Sequence, residues 1–342
     1  MELSHKQIES LKEMLAQPRL RIVILSHTNP DGDAVGSSLA WAEVLRARGH
    51  EVTCVVPNKY PYFLDWMPGI EEVVVFKTDT EGRAVKAIAE ADVLFCLDFN
   101  AVSRLEILSE TIQGNTTARR VLIDHHLQPD EGFDIVFSHP ESSSTCFLVY
   151  CLVEAMYGTG AITRRMGELL YVGMMTDTGN FAFSHLTPEL FRAVAVLLEK
   201  GISIPEIHNS VYNAYTEGRA RLFGYAINRK MALIEDGTVA YMSLLESEMR
   251  RFQFQQGDSE GFVNYALTIK KVKMSAMFLA HRKFIRISLR SRGDVDVNLF
   301  ARKYFNGGGK NAAGGKSFLS MEETIDHYIR SVREFAEEGH LG

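Results

Sequence analysis

The tightest constraint in this 342-residue chain is the stretch Ser26-His27-Thr28-Asn29-Pro30-Asp31-Gly32-Asp33-Ala34-Val35-Gly36-Ser37. It follows Arg21–Leu25, an apolar run of strand length rich in β-branched residues. It precedes Ser38–Arg48, whose Leu39, Ala42, Val44 and Leu45 suit an amphipathic helix ended by Gly49. His27, Asp31 and Asp33 are therefore expected on a strand-to-helix loop. Pro30 and Gly32 turn the backbone, and Gly36 lets the chain approach a neighbour closely. Two carboxylates on so short a loop repel one another unless a cation joins them to the imidazole. Hard oxygen ligands with imidazole suit Mn²⁺, Mg²⁺, Fe²⁺ or Zn²⁺. The alternative is a polar turn with an Asp at a helix N-cap.

Three further segments repeat the pattern. Ala91–Leu97 reads as a buried strand and ends in Asp98, and Arg120–Ile123 reads as another and ends in Asp124-His125-His126. Leu169–Met175 is an apolar run that ends in Thr176-Asp177-Thr178-Gly179. All four segments put Asp or His just after an apolar element, in register with strand ends. Ligands of open α/β sheets bind outside the carboxyl ends of the strands, so a site is expected where these segments converge.

Composition narrows the classes. A net charge of −6 lacks the global basic footprint of a protein for long duplex nucleic acid, so contacts with nucleic acid should involve a few phosphates. No apolar run approaches membrane-spanning length, and no membrane partner is expected. Cys54, Cys96, Cys146 and Cys151 form no C-x-x-C pair. The start, Met1–Gln17, reads as a charged amphipathic helix without a signal-peptide core, and together these point to a reducing cytoplasm.

Strand-like runs at Val52–Val56 and Val73–Phe76 alternate with helical segments at Thr80–Ala89 and Ser103–Ile112. The alternation predicts an α/β fold with a doubly wound, mostly parallel sheet. Ser142–Thr145 reads as the N-terminus of a helix over Cys146–Met156, its hydroxyls serving as caps or, with the free amides, as an anion site. Another helix starts at Leu186–Glu189 and ends at Gly201, and a charged helical stretch, Pro205–Arg229, reads as a connector. The expected division is an α/β domain over 1–190, a helical linker over 191–229 and a smaller α/β domain over 230–342. In the last, Thr238–Met242, Met277–Ala280 and Phe284–Arg290 read as strands. Arg286, Ser288 and Arg290 alternate there with Ile285, Ile287 and Leu289, giving one apolar face and one that is cationic or simply solvated. The run Asn306–Ser317 fails as a P-loop, since Lys310 stands where Gly is required and a helix, not a strand, is expected before it, but it suits a backbone nest for a phosphate.

His27-x-x-Pro30-Asp31-Gly32-Asp33, then Asp98, Asp124-His125-His126, Thr176-Asp177-Thr178 and the late Ala-Ala-Gly run resemble the DHH/DHHA1 phosphoesterases. Within that family the look is closest to the oligoribonuclease/pAp phosphatase branch, also described as exopolyphosphatase-related. The resemblance covers nearly the whole chain and implies a catalytic domain over 1–190, a substrate-binding domain over 230–342 and two Mn²⁺ ions, with Mg²⁺ or another divalent cation as a substitute. It implies His27 and Asp31 on one metal, Asp33, His125 and Asp177 on the other, and Asp98 bridging. His126 would face the substrate phosphate, with Arg104 beside it. Ser288, Arg290 and Ser291 match the family's S-x-R-S stretch, which with the Gly307-Gly308-Gly309-Lys310 loop would hold the nucleotide end. The family's His after the Gly run is missing here, its place taken by Gly309 or Lys310. The implied chemistry is hydrolysis, by hydroxide activated between two metals, of short single-stranded oligoribonucleotides to mononucleotides and of pAp to AMP. Pyrophosphate, polyphosphate or a cyclic dinucleotide is the alternative substrate, and a non-catalytic nucleotide-binding protein is the alternative class. A homodimer is left open.

Overall fold

The computed structural model describes residues 3–182, 185–305 and 312–341. The chain divides into two compact units, residues 1–214 and 215–342. The first contains α1 (His5–Leu15), β1 (Arg21–Leu25), α2 (Gly32–Arg46), β2 (Glu51–Val56), β3 (Val74–Val75), α3 (Arg83–Glu90) and β4 (Val93–Leu97). It continues with α4 (Ser109–Gly114), β5 (Arg119–Asp124), β6 (Ile135–Ser138), α5 (Thr145–Tyr157), α6 (Arg164–Asp177), α7 (Pro188–Glu199) and α8 (Ile204–Tyr212).

Its six strands are all parallel, in the order β3-β2-β1-β4-β5-β6. The chain winds outward from β1 in one direction and from β4 in the other, so the crevice at their carboxyl ends is the topological switch point. Helices cover both faces, as a buried parallel sheet requires. On one, Ala84 and Ile88 of α3 and Ile112 of α4 enclose Val23, Leu94, Cys96 and Leu122. On the other, α2 is buried almost all round, with Trp41 edge-on to Phe95 at 5.7 Å. Gly36 is where α2 meets α6, since a Cβ there would stand 2.5 Å from the Leu169 carbonyl oxygen.

Several local expectations are corrected. The helix after β1 begins at Gly32, so Asp33 sits in its first turn, not on the loop. Leu169–Met175 lies inside α6, so one of the four acidic segments ends a helix, not a strand. The stretch after Asp98 forms a 3₁₀ segment, Val102–Leu108, kinked at Glu106, before the short α4. Strand β6 had no sequence expectation.

The second unit contains α9 (Glu217–Tyr225), β7 (Ala232–Ile234), β8 (Val239–Leu244), α10 (Glu246–Arg251), α11 (Phe262–Tyr265), β9 (Met274–His281) and β10 (Phe284–Ser291). It ends with α12 (Val297–Tyr304), β11 (Ala312–Ser317) and α13 (Met321–Glu337). Its sheet runs β11-β10-β9-β8-β7, antiparallel except for the β8–β9 pair. Ile285, Ile287 and Leu289 pack with Phe300, Tyr328 and Phe335 of α12 and α13, while Met242, Met277 and Leu279 pack on the other face with residues of α9 to α11. The second half of the Gly-rich run is thus an edge strand. Its first half, with Gly307, Gly308, Gly309 and Lys310, lies outside the described residues.

Candidate metal centre

The centre forms at the switch point. His27 follows β1, Asp98 follows β4, His125 and His126 follow β5, and Asp31 and Asp33 open α2. Asp31 is the N-cap, its Oδ1 accepting the amides of Asp33 and Ala34 at 3.1 Å. The capping reading of this turn is therefore correct, and one carboxylate oxygen caps while the group stays within ligating distance of its neighbours. Asp98 holds a left-handed backbone (φ 64°), a conformation costly outside Gly and concentrated at functional sites.

Ligating atoms gather in three overlapping groups, each within 4.8 Å: His27, Asp31 and Asp98; Asp33, His125 and Asp177; and Asp98, His125 and His126. His27 Nε2 lies 3.4 Å from Asp98 Oδ2. His125 Nε2 lies 3.3 Å from Asp177 Oδ2, 3.6 Å from Asp98 Oδ1 and 3.9 Å from Asp33 Oδ2. Both rings are aimed from behind: His27 Nδ1 meets the Thr28 carbonyl at 2.9 Å and His125 Nδ1 the Ser142 carbonyl at 3.3 Å. With those nitrogens donating, Nε2 of each is left as a lone pair for a metal.

The start of α5 is the second organiser. Ser144 caps it by accepting the Phe147 amide at 3.0 Å. Its first amides, Thr145 and Cys146, donate to the two oxygens of Asp33 at 2.6 and 2.8 Å. The anion at this helix start is thus a side chain of the protein, held by the orphan amides of a helix N-terminus. The Thr145 hydroxyl donates to Asp98 Oδ1 at 3.0 Å. Asp124, fully buried, accepts from His126 Nδ1 at 2.7 Å and fixes that ring. Asp124 did not stand out in the sequence as a site residue although it opens the Asp-His-His motif, whereas Thr145 belongs to the stretch read as a cap or anion site and here holds carboxylates of the protein itself.

Crowded buried carboxylates make the centre hungry for cations. Burial and then the Asp98 charge push Asp33 up to about 8. Burial and then Asp31 push Asp98 well above the usual range. Burial also raises Asp31, but His27 and the Ala34 amide outweigh it and hold the group low. His27 is lowered by burial and by Arg104. Burial disfavours the His125 imidazolium, yet Asp177, Asp98 and Asp33 prevail and push it up to about 9. Burial takes His126 down to about 4, with Arg104 and His125 adding to the effect against Asp124. A divalent cation among these groups neutralises the carboxylates and needs neutral imidazoles, so four carboxylates and two imidazoles fit a hard or borderline metal. The half-buried Arg104 brings fixed positive charge beside His27 and His126, and its carbonyl accepts the Thr28 amide at 2.9 Å.

The expected nucleotide-binding residues divide by strand parity. Ser288 and Arg290 share one face of β10, half-buried. Ser291 turns to the other face, 8% exposed, and donates to the Val295 carbonyl at 2.6 Å, so it is not brought together with them.

Residues 21–174 match the model of the DHH family N-terminal domain, and residues 236–338 match the DHHA1 domain. The chain is 39% identical to an exopolyphosphatase-related protein from Bacteroides fragilis of known structure, covering 97% of each chain with a TM-score of 0.90. It is 27% identical over 338 residues to the bifunctional oligoribonuclease and PAP phosphatase NrnA of Thermus thermophilus, spanning 96% of this chain and 94% of that one. The NrnA of Bacillus subtilis is 26% identical over 303 residues, spanning 88% and 90%.

Proposed function

The chain belongs to the DHH family of metal-dependent phosphoesterases and carries a DHHA1 domain, and on that premise we propose that it hydrolyses short oligoribonucleotides to mononucleotides and removes the 3′-phosphate of pAp. The observation that carries the reading is the set of ligating groups overlapping at Asp98, in a chain aligned almost end to end with the NrnA proteins. His27 and Asp31 would hold one cation, Asp33, His125 and Asp177 a second, and Asp98 both. The donor balance favours Mn²⁺. Such a pair, when bound, supplies Lewis acidity and an activated water for attack on phosphorus.

The protein's own residues do the positioning. Two helix amides fix both oxygens of Asp33 and favour its ionised form against the burial that raises it. Carbonyls of Thr28 and Ser142 turn His27 and His125 toward the carboxylates. Asp124 aims His126 at the reacting phosphate, and Arg104 offsets charge on the phosphoryl oxygens. Arg290 and Ser288 hold the nucleotide. The four cysteines are free thiols, consistent with work in a reducing cytoplasm, and no helix among the described residues is long and apolar enough to cross a membrane.

The test is a substrate panel on protein stripped by chelator and reloaded. Stripped protein should be inactive and recover best with Mn²⁺, and a diribonucleotide and pAp should be turned over well ahead of pyrophosphate. A dominant rate on pyrophosphate, polyphosphate or a cyclic dinucleotide would select the alternative substrate class. Failure on every substrate with metal bound would leave a nucleotide-binding protein.

A further inference from the structure

The second unit's sheet carries an arrangement larger than one nucleotide needs. Ile285, Ile287 and Leu289 enter the core with α12 and α13, so Phe284, Arg286, Ser288 and Arg290 emerge on the other face of β10. The antiparallel register sets Lys316 of β11 opposite Arg286, Gly314 opposite Ser288 and Ala312 opposite Arg290. Ser317 pairs with Ile285 and ends β11, and Phe318 follows it directly, at the Phe284 end of the face. The face therefore reads as successive rungs: aromatic at Phe284, with Phe318 just beyond the strand end, cationic at Arg286 and Lys316, small at Ser288 and Gly314, and cationic again at Arg290.

Exposure and charge suit a polyanion. Phe318 is 77% exposed, the most exposed large hydrophobic side chain among the described residues. Phe284 is already stacked on His281 at 5.0 Å, with Lys316 Nζ 5.0 Å from its ring centre, so Phe318 offers the open ring. Across the same face Met242, Met277 and Leu279 are buried in a core, whereas Arg286, Ser288, Gly314 and Lys316 are half-buried. Residues 215–342 contain 20 Lys and Arg against 15 Asp and Glu, a net +5, while residues 1–214 contain 17 against 28, a net −11. Same-face rungs are about 6.8 Å apart, the scale of one nucleotide repeat in an extended strand.

We propose that the β10–β11 face is a track for single-stranded oligoribonucleotide. Ser288 and Arg290 hold one nucleotide, Arg286 and Lys316 hold the next phosphate, and Phe318 stacks a base beyond it. Stacking on an aromatic ring is indifferent to base identity, and the small Ser288–Gly314 rung lets the backbone lie close to the sheet. The track rests on the oligonucleotide reading and deepens it, giving the enzyme a grip on three or more nucleotides that a dinucleotide does not use.

The test is anisotropy of a fluorescein-labelled pentaribonucleotide and a labelled diribonucleotide, with the full chain in excess chelator so that nothing is hydrolysed. Phe318→Ala should weaken pentamer binding roughly 5- to 150-fold and leave the dinucleotide unchanged, and Phe318→Trp should restore it. Arg286→Ala with Lys316→Ala should weaken pentamer binding and flatten the slope of log K against log salt by about 1.4. Unchanged pentamer binding in these variants, or equal losses on both ligands with an unchanged melting temperature, overturns the track. Hydrolysis is read separately on the wild type with Mn²⁺, so a failure of the proposed function is told apart from a failure of the track.

Discussion

Thr145→Val isolates one hydrogen bond behind the metal centre. The Thr145 hydroxyl donates to Asp98 Oδ1 at 3.0 Å, and both residues are buried, at 0% and 2% exposure. Valine has the same shape and β-branching, and the Thr145 amide still reaches Asp33. The change therefore removes a donor from a buried carboxylate and little else. A hydrogen bond to a charged group contributes about 1.5–3 kcal/mol, and water does not screen this one. Asp98 is the ligand shared by both proposed cations, so the loss should appear in metal affinity as a roughly 10- to 150-fold rise in Kd. Titration calorimetry with Mn²⁺ on chelator-stripped protein measures it directly, and Thr145→Ser, which keeps the donor, should bind nearly as the wild type does. A Thr145→Val protein that melts normally and binds Mn²⁺ within about threefold of wild type would refute the positioning role, since that is well below the smallest effect a charged hydrogen bond predicts.

Asp98→Asn should fold, because asparagine tolerates the left-handed backbone at this position, yet lose at least ~10³-fold in kcat on both substrates, since an amide is a poor bridge between two cations; near-normal turnover would remove Asp98 from the centre. Arg290→Ala should cost about 10- to 150-fold in kcat/KM on a dinucleotide or pAp and little on bis-p-nitrophenyl phosphate, which has no nucleotide to hold; equal effects on the two would take Arg290 out of recognition. Gly173→Ala should destabilise the first unit, because a Cβ there would overlap Cys146 Sγ and stand 2.5 Å from Asp33 Oδ1. Overpacking of that kind costs about 1–3 kcal/mol. Scanning calorimetry should show a Tm lower by about 2–4 °C per kcal/mol, and an unchanged Tm would mean that α5 and α6 part without cost.

What the sequence by itself determined is local in origin. Arg21–Leu25, Val93–Leu97 and Arg120–Ile123 are short β-branched or apolar runs, and each forms a strand of the parallel sheet. Their last residues are followed by His27, Asp98 and the Asp124-His125-His126 motif, so the placement of the candidate ligands at strand ends follows from hydrophobic pattern alone. Alternation likewise sorted Arg286, Ser288 and Arg290 from Ile285, Ile287 and Leu289. Tertiary structure decided the rest. An apolar run such as Leu169–Met175 has the same composition in a strand and in a buried helix, and only burial of α6 against α2 and α5 settles it as a helix carrying Asp177 at its end. Whether the free amides of Ser144–Cys146 cap, bind a ligand or hold a side chain depends on Asp33, more than a hundred residues earlier. The backbone of Asp98 turns left-handed because its amide is tied to the Ile123 carbonyl of the next strand while its side chain is claimed from three sides. β11, read as a loop from its glycines, becomes a strand because β10 offers it a ladder. Hydrogen-bond partners distant in sequence leave no periodicity behind, which is why the candidate ligands were legible and the residues that aim them were not.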